Sequence, residues 1–258
     1  MQLLAIDIME RFSTFLWPML RISALMVTAP IFANSAFNLR LRVLLALVLA
    51  WLVYPLHTWP VIDPASAAGL KEVFNQVAIG ALAGLVLQVV VAALVVAGQI
   101  VATAIGLSMA SLMDPNLGNV PVISQLLLVL GLLVFVGSGG HAILLGLILE
   151  SFHSLPVGRS ILTPDSLGLL VRWSSMIFLG GVLVALPVMV AMLFVNLGVG
   201  VITRAAPSLN VFAVGVPASL AAGFLILLVF LGTMVGRTEW LWTQGFGVVR
   251  DLLGVPRV

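Results

Sequence analysis

The sequence predicts an all-α polytopic membrane protein, and three observations carry that prediction. Hydrophobic residues make up 62% of the 258 positions and charged residues 8%, where a soluble domain carries about 25% charged residues. The charges stand singly, so about six hydrophobic segments can be marked off between them. Two of these, residues 73–113 (41 residues) and 173–203 (31 residues), contain no charge at all. A helix of the former length would measure roughly 60 Å, about twice the hydrocarbon core. Both are therefore expected to be broken, to leave the membrane, or to pack in an assembly that protrudes from it. No room remains for a separate soluble domain, so residues 1–258 read as one integral membrane unit.

Residues 1–11 form a short lead, and Asp7, Glu10 and Arg21 argue against a cleavable signal peptide. Residues 12–31 make the first segment, long enough to span but holding Pro18 and Arg21. An arginine at such depth faces a protein interior and a partner, or lies near enough to an end to snorkel; both readings stand. A connector with Arg40 and Arg42 leads to the second segment, 43–62, whose Trp51, Tyr54 and Trp59 fit an interfacial belt. A polar loop with Lys71 and Glu72 opens the long third run. Gly80 and Gly84 there form a small-xxx-small match that permits close helix contact, a weak signal in a chain with 24 glycines. Gln88 and Gln99 are amides in an apolar run and need hydrogen-bond partners. The fourth segment, 121–149, contains Gly131 and a glycine-rich cluster from Gly137 to His141. The fifth run follows a loop bearing His153, Arg159 and Asp165, and is interrupted by Gly180, Gly181 and Pro187. An irregular polar stretch at 204–217 precedes the last apolar piece, 218–236, and a tail with Arg237, Arg250 and Arg257. With six crossings, Arg11, Lys71, Arg159, Arg172 and the three tail arginines fall on one side, against Arg40, Arg42 and Arg204 on the other. That bias places both termini in the cytoplasm.

The stretch 104–124 interrupts the apolar background. Asp114 is the sole formal charge between Glu72 and Glu150. Gly106 and Ser108 weaken a helix arriving from the N-terminal side, Asp114, Pro115, Asn116, Gly118 and Asn119 are turn chemistry, and Pro121 disfavours a helical Val120. Irregular backbone is tolerated at membrane depth only where protein buries it or where it lines an aqueous cavity. The stretch is thus either an ordinary loop outside the bilayer or a loop placed at a pore. Met109 and Met113, four residues apart, would share a helix face, as plain apolar surface or as a deformable seal.

Catalytic chemistry finds little support. There is no phosphate-binding loop, and Lys71 is the single lysine. Zero cysteines exclude disulfides and thiolate metal sites. Glu150 and His153 share a face in one Glu-x-x-His spacing, but a di-metal bundle needs a second copy and two more acids. The pair reads as a helix end at the membrane surface. Ser138 and His141 lie three residues apart on one glycine-rich helix, whereas a serine–histidine dyad is assembled from separate segments. No basic stripe suggests nucleic acid. The expectation is a protein that is not an enzyme and binds no metal or cofactor.

Three stretches together resemble the FliR/SctT family, the R-type component of the export gate in flagellar and related type III secretion systems. They are RISALMVTAPIFANSAFNLRLRVLLALVLAWLVYP (21–55), GLSMASLMDP (106–115) and NLGVGVITRAAPSLNVFAVGVP (196–217). The resemblance covers essentially the whole chain and is most specific in the third stretch. Phe37 and Asn38 depart from a proline-bearing turn, and Ser208 stands where glutamine is usual, which leaves subunit contacts there in doubt. The resemblance implies a fold like a P-type and a Q-type subunit joined in one chain, set in a helical ring with separate P-type and Q-type subunits. It implies an inner-membrane pore in the flagellar basal body, FlhB and FlhA as neighbouring export components, and unfolded rod, hook and filament proteins as substrates. It makes residues 106–122 a candidate plug, with Gly106, Leu107, Met109, Leu112, Met113, Asp114 and Pro115 in gating. Arg21, Arg204, Pro207, Asn210 and Phe212 become candidate subunit-interface residues. An injectisome homologue and a proton-coupled small-molecule transporter are the alternatives; the transporter reading is weakened by the lack of fixed charge in the segments apart from Arg21.

Overall fold

A computed structural model describes residues 2–33, 38–107, 122–205 and 215–256, with the side chains of 2–9 and of Ala33 left undescribed. Its elements are helices throughout: α1 (Gln2–Thr28), α2 (Pro30–Ala33), α3 (Leu39–Val53) with a 3-10 turn at Tyr54–Leu56, α4 (Ala67–Ile105), α5 (Val122–Gly137), α6 (Gly140–Ser154), α7 (Pro164–Ser174), α8 (Met176–Ala205) and α9 (Val216–Leu252). No strand occurs among the described residues. The chain is an all-α polytopic membrane protein. Four stretches are long and apolar enough to cross a membrane: Leu39–Leu56, Ala67–Ile105, Pro164–Ala205 and Val216–Leu252. The pair α5 and α6 gives a fifth if counted as one broken span. The sequence suggested about six segments; the first of them falls in α1 and is not among these candidates, its apolar run being diluted by polar residues and Arg21.

Each overlong run is broken near one end, the first where α4 stops at Ile105 and the second where α7 gives way to α8 at Ser175. The helix α4 runs 39 residues without a break, roughly 58 Å, and α8 runs 30 residues through both Gly180-Gly181 and Pro187. Local chemistry fixes the boundaries. Asn38 caps α3, its side chain accepting from the Arg40 amide. Ser66 caps α4, its hydroxyl accepting from the Gly69 amide, and Thr163 caps α7 by accepting from the Ser166 amide, with Pro164 in the first turn. At its far end α4 closes in a Schellman motif: the Leu107 amide bonds Ala102 O and the Gly106 amide bonds Thr103 O, with Gly106 at φ +92°.

The described chain forms two compact units, each assembled from separated pieces, with α4 and α9 contributing to both. In the first unit (residues 1–89, 139–174 and 244–258), Ile22 and Met26 of α1 pack with Ala46, Ala50 and Val53 of α3 and with Phe152 of α6. The small residues on α3 let α1 approach closely. The seam between α1 and α4 is closer still. A Cβ on Gly80 would lie 2.1 Å from Arg21 O, and one on Gly84 would lie 2.0 Å from Thr28 Oγ1. Gln88, one turn further along, donates to Thr28 O at 3.0 Å. The weak glycine match of the sequence is therefore a true docking stripe.

In the second unit (90–138 and 175–243) the later half of α4 is again the contact helix. Its Ala93 and Val96 meet Gly180 and Gly181 of α8, while Gly98 receives Ser124 of α5 so closely that a Cβ would lie 2.3 Å from Ser124 Cα. Ser124 Oγ donates to Val95 O, and Trp242 of α9 donates to Gly131 O of α5 while packing edge-on against Phe135.

Candidate functional site

Two arrangements attract attention, one in each unit. In the second unit the end of α4 is held from several directions. Asn196 of α8 donates to Ala104 O at 3.2 Å, serving a carbonyl of the last turn. Ile105 fits against Gly223 of α9, where a Cβ would lie 2.7 Å from it. From this anchored end the chain departs at Leu107, which is half-buried, and it re-enters at Val122, which is exposed. Two residues later Ser124 is locked onto Gly98, about two turns back along α4, or roughly 10 Å. The fourteen residues 108–121 lie between, and extended they would reach roughly 46–50 Å. The segment therefore carries far more chain than its anchorage requires.

Of the gating residues named from sequence, the structure places Gly106 and Leu107. Gly106 is the left-handed stop of α4, and a Cβ there would meet nothing within 4 Å, so the site demands glycine through its backbone alone. Met109, Leu112, Met113, Asp114 and Pro115 lie outside the described residues, as do Pro207, Asn210 and Phe212. Arg204 sits exposed in the last turn of α8, where a cation complements the helix dipole.

In the first unit Arg21 is fully buried, with an acceptor for each nitrogen. Nε donates to Gln76 Oε1 at 2.7 Å, Nη1 to Ser151 O and Oγ at 3.0 and 2.9 Å, and Nη2 to Leu155 O at 2.8 Å. The guanidinium also lies over the Phe152 ring, 4.2 Å from its centroid. It thus caps the C-terminal carbonyls of α6 from a different helix. Gln76 and Asn75 both donate to Glu72 Oε1. Asn75 further donates to Arg159 O at 2.7 Å and accepts from the Ile161 amide at 3.1 Å, reading the following loop as a strand partner would. Glu72 is itself buried, and Gln76 bridges it to the Arg21 guanidinium. Sequence reading singled out Arg21 but missed Gln76, Asn75 and Ser151, whose only signal was a polar side chain in an otherwise apolar run.

Among the described residues no group of three or more histidine, aspartate or glutamate side chains could hold a metal ion. Neither arrangement presents a nucleophile with a positioned base. One is a rigid polar anchor, the other a long segment on a firm mount.

The model of the family described as bacterial export proteins, family 1, matches residues 12–245. A flagellar biosynthetic protein FliR of Pectobacterium carotovorum is 33% identical over 251 residues, covering 96% of this chain and 95% of that one. Its counterpart in Escherichia coli K12 is 31% identical, covering 93% and 92%. A more distant counterpart from Bacillus subtilis is 26% identical, covering 98% and 99%.

Proposed function

Because the chain belongs to family 1 of the bacterial export proteins, matched by its model over residues 12–245, we propose how it serves the flagellar type III export gate of which it is a subunit. It is a structural component of that membrane-embedded apparatus. In our reading it performs no catalysis and forms, with P-type and Q-type subunits, a pore in the inner membrane for unfolded rod, hook and filament proteins. FlhB and FlhA are its neighbours in the apparatus, both termini face the cytoplasm, and residues 106–122 close the pore as a plug. Met109, Leu112 and Met113 supply a deformable apolar seal, which excludes ions by dewetting. The exposed Arg204, with Pro207, Asn210 and Phe212 beyond it, serves a subunit interface.

The observation that carries the plug is the excess of chain between two firm anchors: fourteen residues where the Gly98–Ser124 lock asks for far fewer. A segment of this kind can swing without disturbing the helices that hold it. Deleting 108–118 would leave three residues, barely enough to bridge roughly 10 Å, so a shorter cut is the cleaner test. Removing 109–113 leaves ample chain and takes out the apolar seal. The gate should assemble at normal levels and leak ions or a small dye in intact cells. Normal assembly without leak would return the segment to an ordinary connector.

A further inference from the structure

We propose that the imidazoles of His57 and His153 form a pH-sensitive latch, holding residues 57–61 against α6 while His57 is neutral and releasing them when His57 takes up a proton. The two rings lie 4.4 Å apart between centroids, tilted by 43°. His57 follows the turn that ends the α3 span, and His153 stands in the last turn of α6, so the pair joins two elements far apart in sequence. Around it the packing is aromatic: His57 meets Trp59 at 5.6 Å and Phe152 at 5.8 Å, and Trp59 meets Phe152 edge-on at 5.2 Å. Trp59 is fixed in turn by donating to Tyr54 O at 2.8 Å and stacking on the Tyr54 ring.

Neither ring nitrogen of His57 makes a hydrogen bond of good geometry, and both are enclosed, so a proton taken up there gains no well-placed acceptor. An open cleft of about 340 Å³ lies alongside, lined by His57, Thr58, Trp59, Pro60 and Phe152, so the segment has space into which to move. Other titratable groups face the pair. Arg21 from α1 reaches the same Phe152 ring from its buried position; Glu10 and Arg11 of α1 and Tyr54 line the neighbouring cleft with His57; Glu150 precedes His153 by one turn on α6. Burial foremost, then His153, hold the His57 imidazole below its ordinary value; the Val53 carbonyl pulls the other way, and Arg21 adds a lesser push downward. A depressed histidine contributes stability that is present above about pH 6.5 and is lost as pH falls through the folded-state value. The latch is therefore closed at neutral pH and opens on acidification.

The chain contains no cysteine, so Val61→Cys is its single site for a nitroxide label, and the parent chain in the same assembly, treated alike, gives the background to subtract. The label is placed in the full chain, within its co-purified membrane assembly, and its line shape is followed from pH 8 to pH 5. A reversible sharpening in the acid range is expected, absent in His57→Gln and in His57→Phe, which keeps the ring packing. His153→Gln should move the midpoint up by roughly half a unit to two units, as charges about 5 Å apart require. A line shape that does not change with pH would overturn the latch, as would a transition surviving in either His57 variant. A midpoint unmoved or lowered by His153→Gln would overturn the pairing.

Discussion

Replacing Arg21 by methionine keeps an unbranched apolar stem but removes the charged donor to Leu155 O, Ser151 and Gln76, leaving Ser151 O only the Leu155 amide. Removing one member of a buried charged network costs about 3–5 kcal/mol, and that is the loss expected in thermal unfolding of the assembled protein. Arg21→Lys should recover only part of it. A single ammonium cannot serve Gln76, Ser151 and Leu155 as a planar fork does. An Arg21→Met protein with the melting temperature and assembly yield of the parent would contradict this account. The arginine itself was visible in the sequence as a charge where none is cheap. Its partners were not, because they lie 55 to 134 positions away and two of them are backbone carbonyls that every residue possesses.

At the level of elements, α4 organises the first unit through a stripe at four-residue spacing: Gln76, Gly80, Gly84 and Gln88. The amides at its ends bond α1, directly to the Arg21 side chain and to Thr28 O. The glycines between let the two backbones touch. Gly80→Ala would force a Cβ to within 2.1 Å of Arg21 O, and the neighbour is backbone that cannot rotate away. Overpacking of this kind costs typically 1–3 kcal/mol. Gly146→Ala on α6, where a Cβ meets nothing within 4 Å, should instead be neutral or gain up to about 1 kcal/mol. Equal melting temperatures for the two variants would remove the stripe from the account. Glycine spacing alone could not reveal this, since a chain with 24 glycines supplies many such pairs; the helix stop at Gly106 was legible because Gly106 and Ser108 weaken the helix arriving there. Both long runs break near an end, at Gly106 after α4 and at Ser175 between α7 and α8, and not at the glycine pair or the proline of the fifth run. Gly180 and Gly181 are contacts for α4 rather than hinges, and Pro187 is accommodated within α8.

For the whole molecule, the apolar surface left open is the dominant fact. Phe178 and Phe194 of α8 are 70% and 69% exposed, Val229 of α9 is 77% exposed, and Trp51 of α3 is 74% exposed. The helix α9 runs 37 residues, roughly 55 Å and well beyond the thickness of the hydrocarbon core, so lipid alone cannot cover the whole of its length. The chain expressed by itself should aggregate or be degraded, and it should become monodisperse in mild detergent when P-type and Q-type subunits are co-expressed. A stable, monodisperse lone chain on size exclusion would count against partner dependence. Composition made the membrane class plain, and the three resembling stretches pointed to the export family. The excess chain at 108–121 became measurable only once Ser124 was seen locked onto Gly98.

The absence of cysteine permits the most direct test of that segment's role. Single cysteines at Met109 and Met113, each bearing a short photoactivatable crosslinker, would be placed in assembled gates holding an export substrate arrested in transit. Both positions should crosslink to the arrested polypeptide, and a control at Leu162, exposed on the loop before α7, should not. If Met109 and Met113 accept the probe, the gate exports normally and no substrate adduct forms at either position, residues 106–122 do not lie in the channel and the plug is refuted.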